Sequence, residues 1–208
     1  MSLISGLITQ IRYDVGDENG TRWADAVFLS FIKVAIRRMN RIVQRNRLAF
    51  GKTRVTTATT AAQAYVSMPA DFDIFSRLFR TDLRKEIKMF EEWEWEQLKT
   101  TDILQACQLD YANSRINLRG TPGVAIDLSL YYFPTVDPSA YTTSSSMPWA
   151  GRLDDQIGEY VGFRLKNLDE MDVSIETQLL QDLETQILQA YDPNESQYTE
   201  DSGWVDSK

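Results

Sequence analysis

The segment Glu91 to Lys99, EEWEWEQLK, gathers residue types that could hydrolyse a glycoside. Glu91, Glu92, Glu94 and Glu96 alternate with Trp93 and Trp95. Glycosidases work with two carboxylates at a defined separation across the scissile bond, and tryptophan rings can serve as a sugar platform. Spacing here selects no such pair. The simpler reading is a short solvated helix whose aromatic residues anchor it on a sheet. The remaining catalytic vocabulary is thin. The chain has no histidine and one cysteine, which excludes His-based triads, His–metal sites and disulfides of its own. Cys107, in LQACQLDY, has no histidine to activate it and reads as a small buried apolar residue. No catalytic residue, cofactor site or metal site is assigned.

A second concentration of functional groups is basic. Within WADAVFLSFIKVAIRRMNRIVQRNRLAF, Trp23 to Phe50, the cations Lys33, Arg37, Arg38, Arg41, Arg45 and Arg47 follow one another with no acid among them. Arg37, Arg41 and Arg45 fall at i, i+4, i+8, so they share one stripe of a helix and repel instead of pairing. Such a stripe either complements the helix C-terminus in water or faces a polyanion or an acidic protein surface.

The element that positions this stripe is a long amphipathic helix. Phe28, Phe31, Ile32, Ala35, Met39, Ile42 and Val43 recur at spacings of three and four and form its core face, with Asp25 as the expected N-cap. Before it, Leu3, Leu7, Ile8, Ile11 and Val15 predict a shorter helix capped by Ser2, joined by the turn GDENGT. After Gly51 the period changes. TRVTTAT and QAYVSM predict an antiparallel pair that Pro69 ends, and DIFSRLFRT predicts a further strand. LRKEIKMF fits strand or helix, and EEWEWEQLK a helical turn followed by the loop TTDI. SRINLR, the turn GTPG and VAIDLSLYYF predict a hairpin, and VDPSAYTTSSSMP an exposed excursion. Leu153, Ile157, Tyr160, Val161, Leu165 and Leu168 predict one closing helix. Ile175, Leu179, Leu180, Leu183, Ile187 and Leu188 predict a second, capped by Asp172 or Ser174. These two form an antiparallel pair whose apolar faces require the long helix.

The expected fold class is therefore α+β: a helical bundle of two N-terminal helices and a C-terminal helix hairpin, with an inserted antiparallel β-rich region. The boundaries expected are 1–50 for the N-terminal helices, 51–149 for the β-rich insertion, 150–191 for the helix hairpin and 192–208 for a flexible acidic tail. Trp204 is a large apolar residue in that acidic tail, DPNESQYTEDSGWVDSK, and reads as an anchor for a partner.

Charge is unevenly distributed over the 208 residues. The formal net charge is −8, yet Ala26 to Ala70 holds eight bases and no acid, while Ala150 to Lys208 holds fourteen acids and four bases. Complementary poles of this kind suit head-to-tail association of identical copies or docking on another charged object. Met1 to Gly16 has neither a cationic start nor a small-residue cleavage site, so no signal peptide is expected. The apolar runs fall short of the roughly 20 residues that a bilayer requires, so no membrane partner is expected.

Three short motifs resemble the head-to-tail connector, or adaptor, proteins of tailed bacteriophages. They are the W-x-D start at Trp23 and Asp25, the turn MPADF at Met68 to Phe72, and the YY-x-P element at Tyr131, Tyr132 and Pro134 leading to MPW at Met147 to Trp149. Met68 stands where the family pattern has Leu, and the last seventeen residues match no part of it. The resemblance implies a non-enzymatic virion protein that forms a ring, commonly a dodecamer in such families. It implies a place at the head–tail junction, with assembly in the host cytoplasm. The implied partners are the portal protein, the next tail component such as a nozzle or tail tube, further copies of the chain, and DNA passing without sequence specificity. Arg37, Arg41, Arg45 and Trp204 are the candidate partner or DNA-channel contacts. Two rival readings stand beside it. One is a carboxylate-based cell-wall hydrolase associated with a phage tail. The other is a small nucleic-acid-binding regulator acting through Arg37, Arg41 and Arg45, which the net negative charge disfavours.

Overall fold

In the computed structural model, which describes residues 2–97, 104–167 and 173–191, the chain forms two units, Met1–Gly51 with Val136–Lys208, and Lys52–Thr135. Among the described residues there are five α-helices: α1 (Ile4–Val15), α2 (Asp25–Arg45), α3 (Glu92–Gln97), α4 (Asp154–Lys166) and α5 (Val173–Ala190). Seven strands accompany them: β1 (Thr53–Ala58), β2 (Tyr65–Ser67), β3 (Phe72–Arg80), β4 (Lys85–Met89), β5 (Ala106–Asp110), β6 (Arg115–Arg119) and β7 (Asp127–Pro134).

The first unit holds α1, α2, α4 and α5. The helical period places Phe28, Ile32, Ala35, Met39, Ile42 and Val43 of α2 in its core, together with Ile36, which lies beside them on the same face. Leu7, Ile8 and Ile11 of α1, Ile157, Tyr160, Val161 and Leu165 of α4, and Leu183 and Ile187 of α5 complete it. Leu3 and Ile175, expected inside, are largely exposed, and Ile4 is buried where Leu3 was expected. Leu168 and Asp172 lie outside the described residues.

The expected N-caps Ser2 and Asp25 are corrected, and Ser174, one of the two expected for α5, lies inside that helix. Ala24, which has no polar side chain to offer, occupies the N-cap position of α2, and Asp25 is the first helical residue, its carboxylate accepting from Arg12 Nη2 at 2.6 Å. Arg12 also donates to Asp17 at 2.6 Å and to the Trp23 carbonyl at 2.9 Å, and its guanidinium lies 4.6 Å from the Phe28 ring centre. Asp17 in turn accepts from the backbone N–H groups of Arg22 and Trp23. Those backbone bonds, opposed by burial and assisted by the Arg12 charge, hold its carboxyl below the usual value. One arginine thus closes the turn between α1 and α2.

At the start of α1 the capping position is Leu3, which has no side chain to offer. The free N–H groups of Ile4 and Ser5 donate instead to the carbonyls of Ser145 and Thr143, at 3.0 and 2.8 Å. Ser2 donates its hydroxyl to Asp154, and Met147 N–H donates to the Ser2 carbonyl. The Ser/Thr-rich excursion is therefore exposed in only about half of its residues, with Pro138 and Met147 buried, and is pinned by its backbone to the start of α1.

The second unit is a seven-stranded sheet in the order β1-β7-β3-β4-β5-β6-β2, antiparallel except at β4–β5. Neither expected hairpin forms. TRVTTA pairs with β7 (Val55 opposite Leu130), and YVS pairs with β6 (Val66 opposite Ile116), so the two sets of arms exchange partners. The links run side by side instead, with Thr59 N–H donating to the Ile126 carbonyl at 3.0 Å and Ala62 N–H to the Pro122 carbonyl at 2.9 Å. Because β1 and β2 end the order yet are joined by only residues 59–64, the two edges are held near each other and the sheet is a nearly closed, barrel-like one.

This overturns the expected fold class. The helices are not a dominant bundle with a β-rich insertion. The protein is α+β with a barrel-like sheet that supplies its own core, in which Val66, Leu78, Ile87, Leu104, Cys107, Ile116, Leu118, Leu128, Leu130 and Tyr132 are buried together. The physical reason is that alternating strands curled on themselves cover one another's apolar faces and need no helix layer. DIFSRLFR is the strand expected, KEIKM resolves as a strand, and the Trp-rich segment forms the short helix expected. Cys107 is fully buried, and burial with the nearby Glu86 charge pushes its thiol up to about 12, consistent with an inert packing role.

The motifs MPADF and YY-x-P meet at one end of the β3–β7 ladder. Tyr132 donates to Asp71 at 2.7 Å, and Thr135 N–H to the Asp71 carbonyl at 2.7 Å. Phe72 stacks on Tyr132 with ring centres 5.5 Å apart. Burial, then the bond and charge of Asp71, push the Tyr132 phenol up to about 12. These motif residues close a strand corner.

Ile42→Ala and Leu183→Ala, both in the helical core, should each cost roughly 2 to 5 kcal/mol in chemical unfolding. Losses well below that range at both sites, with cooperative unfolding retained, would show that the helical core is drawn wrongly.

Candidate partner interface

The polar side of α2 carries the Arg37, Arg41 and Arg45 stripe, and all three residues are exposed. The structure separates them by what lies alongside. Arg45 pairs with Glu184 of α5, which also accepts from Asn46 at 2.8 Å. Burial raises the Glu184 carboxyl, and the bonds from Asn46 and Arg45 with the Arg45 charge outweigh it, leaving it lowered. Two turns earlier, Arg38 lies 3.9 Å from Glu176 of α5.

On the opposite flank of the stripe lies the turn at Asp137 to Ser139. Lys33 Nζ donates to the Ser139 carbonyl at 2.8 Å. Asp137 accepts from the Ser139 hydroxyl and N–H at 2.7 and 2.9 Å, and these bonds, with the charges of Arg37 and Lys33, hold its carboxyl low against slight burial. Arg37 therefore has an acid in its neighbourhood. Arg41 has no ion-pair partner among the described residues.

Beneath the stripe, Glu176 joins three helices. It accepts from Tyr160 at 2.5 Å and from Arg164 at 3.2 Å, with Arg38 beyond. Burial, then the bond and charge of Glu176, push the Tyr160 phenol up to about 12, against the opposing charges of Arg164 and Arg38. Arg164 also lies 5.5 Å from the Phe31 ring centre. Sequence reading missed Glu176, Glu184 and Asp137. A signal existed for the first two: acids at i and i+8 on α5 match Arg38 and Arg45, at i and i+7 on α2.

In the carboxylate and tryptophan cluster two side-chain contacts are described. Glu94 accepts from the Glu91 backbone N–H at 3.4 Å across the first turn of α3, and Arg119 lies 5.3 Å from the Trp95 ring centre. Those are a helix-start contact and a covered ring. The side chains of Glu92 and Trp93 are outside what is described, as is Trp204. No group of His, Cys, Asp or Glu among the described residues has a metal-binding arrangement, and no helix among them is long and apolar enough to cross a membrane.

A protein-family model described as SU10 adaptor protein matches residues 2–201. No curated protein matches the chain.

The two acids of α5 should separate by burial. Glu176→Ala, which strands the buried Tyr160 hydroxyl, should cost about 1 to 3 kcal/mol, and Glu184→Gln, whose partner Arg45 is two-thirds exposed, about 1 kcal/mol or less. Glu184 is lowered in the fold, so its contribution is present above its ordinary value of 4.5 and is lost as pH falls through the lowered one. Unfolding measured between neutral pH and about pH 2 should therefore show a shallower acid loss for Glu184→Gln than for the parent. Parallel curves would refute the assignment.

Proposed function

This chain belongs to the SU10 adaptor protein family, and from that membership we propose that it forms the ring joining a phage portal to the tail. Membership makes it a structural adaptor component of a phage virion. The observation that carries the finer reading is the family match over residues 2–201, to which the three motifs and the segregation of charge add support.

In this reading the protein is non-enzymatic. Its partners are further copies of itself in a closed ring, the portal, the next tail component, and DNA sliding through without sequence specificity. Arg37 and Arg41 contact a partner, with Arg45, paired to Glu184 but two-thirds exposed, at the edge of that contact, and Trp204 anchors the acidic segment on the portal or a neighbour. Protein contact is favoured over DNA contact for the stripe. Lys33, Arg38 and Arg45 are already engaged within the chain, leaving too few unengaged cations for the multi-phosphate grip that DNA binding draws on. A heterologous interface repeated by rotation closes into a ring, which complementary poles on one chain permit.

Mass measurement of the purified full chain, alone and with a portal ring, should reveal a closed oligomer in at least one of the two states. A monomer in both would refute the ring. Removing residues 192–208 should leave the unfolding midpoint nearly unchanged and weaken portal binding, with Trp204→Ala reproducing most of that loss. Unaltered binding would remove Trp204 as the anchor.

A further inference from the structure

The partner acid for the α2 stripe can be sought on the same chain. Within α2, Arg45 and Arg38 turn toward α5 and Lys33 toward residues 137–139, so Arg37 and Arg41 lie between two flanks that are already paired. They face outward one helical turn apart, a rise of about 6 Å. A matching row exists on α4. Asp155 and Glu159 are exposed, stand at the same i, i+4 spacing, and have no ion-pair partner among the described residues. The buried side of α4, Ile157, Tyr160, Val161 and Leu165, is engaged in the core, so this acidic row is outward as well. Each row repels itself, and each would be relieved by the other.

The two rows share one unit, and neither neutralises the other within it. A second copy can bring them together, and the equal pitch lets two arginines meet two carboxylates in register. Asp182 of α5, also exposed and without an ion-pair partner among the described residues, is single and offers no such match.

We propose that Arg37 and Arg41 of one copy receive Asp155 and Glu159 of the next. The contact is heterologous, since donor and acceptor surfaces differ, and so propagates around a ring. It rests on the ring reading and adds the identity of the two faces.

The test uses the full chain without DNA, with self-association followed by sedimentation over a concentration series. Arg41→Glu and Glu159→Lys should each weaken association by roughly a hundredfold, the double variant should restore most of it, and Asp182→Lys should leave it unchanged. Arg41→Gln and Glu159→Gln should show the same direction with smaller losses, and far-ultraviolet spectra should match the parent for every variant. A parent that stays monomeric, alone and with the portal, overturns the ring and this contact together. A parent that assembles while both reversals also assemble, or a double variant that fails to recover, overturns the contact and leaves the ring. Arg41→Glu that assembles normally but loses retention on duplex DNA also overturns it, assigning the stripe to DNA.

Discussion

The helical unit depends on relieving the charge of α2. A helix whose polar side carries only cations over several turns is destabilised by its own repulsion, and no acid within it can help. The chain meets this constraint by bringing acids from distant positions. Glu176 and Glu184 arrive on α5, and Asp137 on the turn before α4. Glu176 is the most consequential because it is buried and shared: Tyr160, Arg164 and Arg38 converge on one carboxylate, so the packing of α2, α4 and α5 is fixed by polar geometry as well as by apolar area.

The sheet obeys a different constraint. Its strands must hide their apolar faces, and they do so by curling on one another, which requires partners remote in sequence. β1 takes β7 and β2 takes β6, so the short links 59–64 and 120–126 hold the edges near each other without either forming a hairpin. Ten buried apolar positions scattered between Val66 and Tyr132 thereby become one interior. The Asp71–Tyr132 bond and the Phe72–Tyr132 stack finish one end of the β3–β7 ladder.

These constraints bear on function through what they leave over. Three of the residues that could do chemistry are engaged in structure: Cys107 is buried, Trp95 is covered by Arg119, and Glu94 serves the start of α3. Among the described residues, the helix exteriors carry exposed charge without an ion-pair partner, Arg41, Asp155 and Glu159 among it. A virion adaptor is a protein whose work is contact, and surplus charge arranged in rows of opposite sign is the kind of surface that orients contact.

The sequence by itself determined the elements that depend on period and on neighbours. The amphipathic helices, the strand character of DIFSRLFR and the helical turn at the tryptophans all follow from side-chain spacing, which acts over a turn or a few residues. It also carried the family, because short motifs such as MPADF and YY-x-P are legible as strings of neighbouring residues. Only the tertiary structure decided which strand lies beside which, and so whether the β-rich stretch is an appendage of a bundle or a barrel-like core of its own. Alternation states that a strand has an apolar face and says nothing of what covers it. The same limit applied to the arginine stripe. Its alignment was visible at i, i+4, i+8, but the acids that quench Arg45 and leave Arg41 without an ion-pair partner come from residues more than ninety positions away, where only folding makes them neighbours.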